Sequence, residues 1–100
     1  MSLESVTEKI TRKLSLAAAL NARVKFDFGD QGRIFVDATQ NPPLISHDDA
    51  DADTTLLCAL ETLEGFLDGT GDPNVAFLMG KLKIHGSMGL ALKLNAFLEG

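Results

Sequence analysis

His47, His85 and Cys58 are the side chains best suited to bind a transition metal or to act as base and nucleophile in this 100-residue chain. Zinc sites draw their ligands in close pairs, and neither histidine has a second His or Cys at that spacing. No metal site is expected, and Cys58 reads as a core or helix-boundary residue. Asp49, Asp51 and Asp53 match the first odd positions of a calcium loop. The sixth position is Thr54 rather than Gly, however, and the twelfth is Leu60 rather than Glu, so a solvated acidic turn is the simpler reading. Asp27, Asp37 and Glu64 offer carboxylates for acid and base roles, and Ser46, Ser87, His85 and Asp72 hold the residue types of a triad. Nothing in the spacing assembles either set, so no catalytic residue is assigned. Gly80-Lys81-Leu82 lacks the upstream glycine and the following hydroxyl of a phosphate loop.

One basic group remains. Lys81, Lys83 and His85 alternate, which puts them on one face of a strand, and Lys93 follows. They are the candidates for contact with a carboxylate, phosphate or lipid head group, the alternative being a solvated sheet face.

The elements that must carry these residues follow from periodicity. Val6, Ile10, Leu14, Ala17 and Leu20 line one side of a helix that Ser5 and Glu8, or an earlier Ser2, can cap and that should end near Asn21. Val24, Phe26 and Phe28, then Ile34, Val36 and Ala38, alternate about Gly29-Asp30-Gln31-Gly32, predicting an antiparallel hairpin. Asn41-Pro42-Pro43 interrupts it. Leu44-Ile45-Ser46 and Thr54-Thr55-Leu56-Leu57 read as further strands, and Leu60, Leu63, Phe66 and Leu67 as a helix leaving at Gly69. Asp72-Pro73 starts a short helix, Leu82 to His85 form a strand, and Gly86-Ser87 opens a last helix that is apolar over much of its circumference.

Composition narrows the function classes. A hydrophobic fraction of 45% with 23% charged residues suits one globular domain over residues 1–100, without disulfide staples. The net charge of −5 opposes nucleic-acid binding, and no run is long and apolar enough for stable membrane insertion. Met1 to Ser5 carries no secretory signal pattern, the last residues carry no peroxisomal address, and Cys58 has no partner. A cytoplasmic location is therefore expected.

The run Asp72-Pro73-Asn74-Val75-Ala76-Phe77-Leu78-Met79-Gly80-Lys81-Leu82-Lys83-Ile84-His85-Gly86-Ser87-Met88-Gly89-Leu90-Ala91-Leu92-Lys93-Leu94 resembles the late region of the sterol carrier protein type two family. The likeness extends to the hairpin, the entry at Ala52-Asp53-Thr54 and the helix ending at Leu67-Asp68-Gly69. Ser87 stands where that family often has Asn, and Cys58 stands near a helix entry that is usually polar.

The resemblance implies an α+β fold with a curved, mostly antiparallel five-stranded sheet covered by helices, enclosing an apolar tunnel. It implies noncovalent binding and transfer of fatty acid, fatty acyl-CoA, sterol or a related lipid, with no catalysis and no cofactor. Phe77, Leu78, Met88 and Leu92 are the leading tunnel-lining candidates, with Leu63, Phe66, Leu67, Leu90 and Phe97 as further wall residues. Lys81, Lys83, His85 and Lys93 are the head-group candidates. Transient membrane contact and a homodimer are compatible with this reading. The alternatives are a dimerisation or accessory module that binds protein rather than free lipid, and an enzyme acting on a bound acyl chain.

Overall fold

Alternation of apolar and polar residues about a Gly-containing turn builds the first sheet unit of the computed structural model, which describes residues 2–15 and 20–98. The elements in order are α1 (Leu3–Lys13), β1 (Arg23–Asp27), β2 (Arg33–Asp37), β3 (Leu44–Ser46), β4 (Thr54–Cys58), α2 (Leu60–Asp68), α3 (Pro73–Leu78), β5 (Leu82–Gly86) and α4 (Met88–Leu98). A 3-10 turn, Gly29–Gln31, joins β1 to β2.

The fold is α+β, with one sheet in the order β3-β2-β1-β4-β5. β1 pairs antiparallel with β2, β2 with β3, and β4 with β5, whereas β1 and β4 are parallel. The parallel pair arises because β3 lies at one edge and the chain must cross two strands before β4 can be laid down beside β1. Asp49 marks that crossing: its carboxylate meets Lys25 at 2.8 Å and Arg33 at 3.7 Å, tying the acidic segment to the outer face of β1 and β2.

Register decides what the inner face holds. Val24 opposes Val36 and Thr54, and Phe26 opposes Ile34 and Leu56, so two rows of side chains, apolar but for Thr54, cross three strands. All six are fully buried, Thr54 among them. The helices close over them with Val6 and Ile10 from α1, Leu63 and Phe66 from α2, and Ala91, Leu94 and Leu98 from α4. Lys9 bridges two helices, its ammonium 3.3 Å from Glu64 and 3.0 Å from Asp68.

Helix ends show where local chemistry departs from expectation. The capping box uses Ser2 and Ser5, each hydroxyl accepting the other's backbone N–H, so α1 begins before the Ser5-Glu8 pair. It ends at Lys13 rather than near Asn21. The Ser15 hydroxyl donates to the Arg12 carbonyl at 3.0 Å, a local bond that competes with helix continuation. Ala17 lies outside the described residues. α2 has no capping side chain of its own, and Gln31 from the β1–β2 turn accepts the Leu60 N–H at 3.1 Å in its place. The Ser87 hydroxyl accepts the Leu90 N–H at 3.2 Å, capping α4 as its sequence predicts.

Candidate functional site

The sequence between α2 and α3 is built to turn tightly without filling space. Gly69 adopts φ +80° to end α2, and the backbone N–H groups of Thr70 and Gly71 both donate to the Gly65 carbonyl, at 2.9 and 3.0 Å. This folds Gly71 back over Gly65, where a side chain on Gly71 would press on Phe66. Asp72 then accepts the Asn74 N–H at 2.9 Å, and Pro73 occupies the first helical position, fixing the start of α3.

Between the two helices lies an open groove of about 420 Å³. Phe66 and Gly65 form its α2 side, Val75, Ala76 and Met79 its α3 side, and Lys81 stands at one end beyond the Gly80 turn. Glu61 and Asp72 supply acidic rim groups. Lys81 also borders a neighbouring depression of about 510 Å³ that Lys83 and Cys58 share. Both volumes are open surface hollows rather than an enclosed tunnel.

The structure distributes the sequence candidates unevenly around this groove. Phe66 lines it, while Leu63 and Leu67 are buried in the common core. Phe77, Leu78, Met88 and Leu92 face solvent, Leu78 with 83% of its surface exposed. Leu90 and Phe97 are partly buried on α4. Of the head-group candidates, Lys81 is at the groove, Lys83 is one hollow away, His85 sits opposite Thr55 on the outer face, and Lys93 is on the exposed side of α4.

Val75, Met79 and the Gly65–Gly71 contact were not singled out by sequence reasoning. Three and four residue spacing places Val75 and Met79 on one side of α3, and that spacing was the available signal. The short length of the helix hid which side met α2.

The remaining polar candidates are engaged within the fold. Hydrogen bonding from Lys25, with Arg33 nearby, holds the Asp49 carboxyl below its ordinary range. The Thr39 hydroxyl and backbone N–H do the same for Asp37. Asp53 accepts the Arg23 N–H at 2.8 Å, and Asp27 accepts the Gly29 N–H at 2.9 Å. His47 lies 3.0 Å from the Thr7 hydroxyl. Burial pushes the Cys58 thiol up to about 12. Among the described residues, no group of three or more His, Cys, Asp or Glu side chains is placed to hold a metal ion, and no helix is long and apolar enough to cross a membrane.

Comparison with known proteins gives this arrangement a setting. Bovine (Bos taurus) sterol carrier protein 2 is 43% identical over 52 residues, which is 52% of this chain and 10% of that protein. The chain thus matches about a tenth of the curated relative's length. Among solved structures, palmitated SCP2L2 from Aedes aegypti superposes with a TM-score of 0.74 at 23% identity, covering 100% of this chain and 96% of that one. The sec-alkylsulfatase Pisa1 from Pseudomonas sp. has a part of the same fold, with a TM-score of 0.68 at 16% identity over 87% of this chain and 15% of the enzyme. These structural likenesses establish the shared fold. The sequence pattern of the SCP-2 sterol transfer family matches residues 3–99, nearly the whole length, and the chain belongs to that family.

Proposed function

We propose that this chain binds one single-chain apolar lipid noncovalently in the groove between α2 and α3 and carries it without altering it. Family membership and fold support lipid binding or transfer in general. The observation that carries the finer reading is the groove itself: an apolar floor of Phe66, Val75, Ala76 and Met79 with a single cation, Lys81, at one end. A fatty acid or acyl-CoA matches that polarity, its chain along α3 and its anionic end at Lys81. Its volume lies within the range of small-molecule sites. Ten buried methylenes contribute about 8 kcal/mol before the costs of ordering the chain, enough for useful affinity. Lone Cys58 suits a reducing compartment, and we place the carrier in the cytoplasm on that ground.

Val75 is half exposed, so Val75→Glu leaves the core untouched while setting a carboxylate in the groove. Fatty-acid affinity, measured by titration calorimetry, should fall about tenfold or more. Lys81→Glu should weaken fatty acid and acyl-CoA more than an uncharged sterol. A folded Val75→Glu variant that binds fatty acid as tightly as the parent overturns the assignment of the groove. Native mass spectrometry and organic extraction of the purified protein would identify the lipid carried.

A further inference from the structure

The chain holds three methionines and one cysteine, and the fold gives these sulfurs different surroundings. Met1 lies outside the described residues. Cys58 is half-buried at the end of β4, and burial keeps its thiol protonated, which withdraws the thiolate that a peroxide attacks. Met79 and Met88 are open to solvent, with 63% and 45% of their surfaces exposed. Among the described residues, Met79 is the one sulfur that lines the groove between α2 and α3; Met88 opens α4 and stands outside that lining.

The backbone around Met79 is fixed while its side chain is not. The Met79 N–H donates to the Val75 carbonyl at 3.0 Å, which ends α3, and Gly80 at φ +75° turns the chain so that the Lys81 N–H reaches the Ala76 carbonyl at 2.8 Å. Val75 and Met79, four residues apart, thus form the α3 wall of the groove, with Lys81 at the same end as Met79. An unbranched thioether adapts to an alkyl chain of variable position, and it is also open to two-electron oxidation, unlike the side chains of Phe66, Val75 and Ala76 beside it. A lone pair on Sδ attacks the terminal oxygen of a hydroperoxide. The S–O bond forms as the O–O bond breaks, sulfur is oxidised and the peroxide reduced, and the departing oxygen takes the proton and leaves as water or an alcohol. The sulfoxide oxygen is a strong acceptor that an alkyl chain cannot satisfy, so seating the chain against it costs the loss of its water. That oxygen also competes with a carboxylate ligand for the Lys81 ammonium.

We infer that Met79 is an oxidation site through which hydroperoxides switch off lipid uptake by the groove, an inference that rests on the reading of the groove as the lipid site. Exposure of Met79 lets the oxidant reach it without any opening of the fold. A chain seated along α3 covers the thioether, so the empty carrier is the sensitive form. The switch is reversible, because methionine sulfoxide is reduced enzymatically back to the thioether.

The test treats the whole chain with hydrogen peroxide, locates the added oxygen by peptide mass spectrometry, and measures palmitate affinity by titration calorimetry before and after. Sulfoxide at Met79 should weaken palmitate binding about tenfold or more, and methionine sulfoxide reductases acting on both epimers, with a thiol reductant, should restore it. Met88→Leu should show the same loss on treatment. Met79→Leu, compared with its own untreated form, should show none. Palmitate at saturation should slow sulfoxide formation at Met79 and leave the rate at Met88 unchanged. Circular dichroism of the oxidised chain should show the fold intact, since Met79 is exposed. Undiminished affinity with Met79 oxidised overturns the inference, as does an oxidised chain that unfolds. A loss that persists in treated Met79→Leu also overturns it, by assigning the effect to another sulfur. Failure of the untreated chain to bind palmitate refutes the carrier reading and this inference with it, whereas uptake that survives oxidation of Met79 refutes this inference alone.

Discussion

Cys58 ends β4 on the inner side of the sheet, opposite Leu82, and desolvation there favours the neutral thiol. Its pKa rises from 9.0 to about 12, so the folded protein holds its proton through a range in which the unfolded chain loses it. The sign follows: Cys58 contributes stability that is fully present below pH 9 and is lost as pH rises toward 12. At pH 8 the thiolate fraction in the folded state should be about a thousandfold below that of the unfolded chain. Iodoacetamide should therefore label native Cys58 slower than urea-unfolded Cys58 by about that factor, with mass spectrometry as the readout. Equal rates would mean that the thiol is open to solvent and ionises normally. Burial, rather than spacing, thus decides what this residue can do, and a nucleophile at neutral pH is a poor description of it.

The element scale shows a junction of a different kind, where α2 depends on a side chain borrowed from another part of the fold. Ala59 cannot cap, and the Leu60 N–H is satisfied by Gln31 across 29 residues of sequence. Gln31→Ala should lower stability in urea unfolding by about 1 kcal/mol, the cost of a lost helix cap, whereas Asp30→Ala at the exposed neighbouring position should cost much less. Among the described residues each strand and α-helix was legible in the sequence, although α1 stops at Lys13, short of the expected end near Asn21, because alternation in Val24-Lys25-Phe26 and three and four residue spacing in Val6, Ile10 and Leu14 report directly which face is buried. The Gln31 cap was not legible, nor was the parallel β1–β4 pair, because both join segments far apart in the chain. The groove was partly legible: Phe66 and Lys81 were singled out, while Val75 and Met79 became lining residues only once the Gly65–Gly71 contact set α3 beside α2. On α4 the breadth of the apolar surface was legible but its division was not. Packing against β4 and β5 takes Ala91, Leu94 and Leu98 and leaves Met88 and Leu92 outside.

Across the whole molecule, an accessible surface of 5469 Å² agrees with the roughly 5,500 Å² expected of a folded chain this size. Loose packing therefore does not explain the apolar side chains on α3 and α4. One well-filled core, made by the sheet and the inner faces of α1, α2 and α4, coexists with a groove at the α2–α3 border that stays open among the described residues. Both groove helices also belong to that core through Phe66 and Ala76, so a ligand seated between them must be released when the domain unfolds. Linkage then gives a magnitude: a lipid at a hundred times its dissociation constant should add about 2.7 kcal/mol to stability. For a domain of this length that raises the melting temperature by roughly 10 to 20 °C. Differential scanning calorimetry with increasing palmitate, kept below its micellar concentration, should show the shift growing with the logarithm of free ligand, and Val75→Glu should flatten it. A melting temperature indifferent to palmitate, acyl-CoA and sterol alike would leave the groove as a surface crease and move the search for lipid binding to the exposed side of α4.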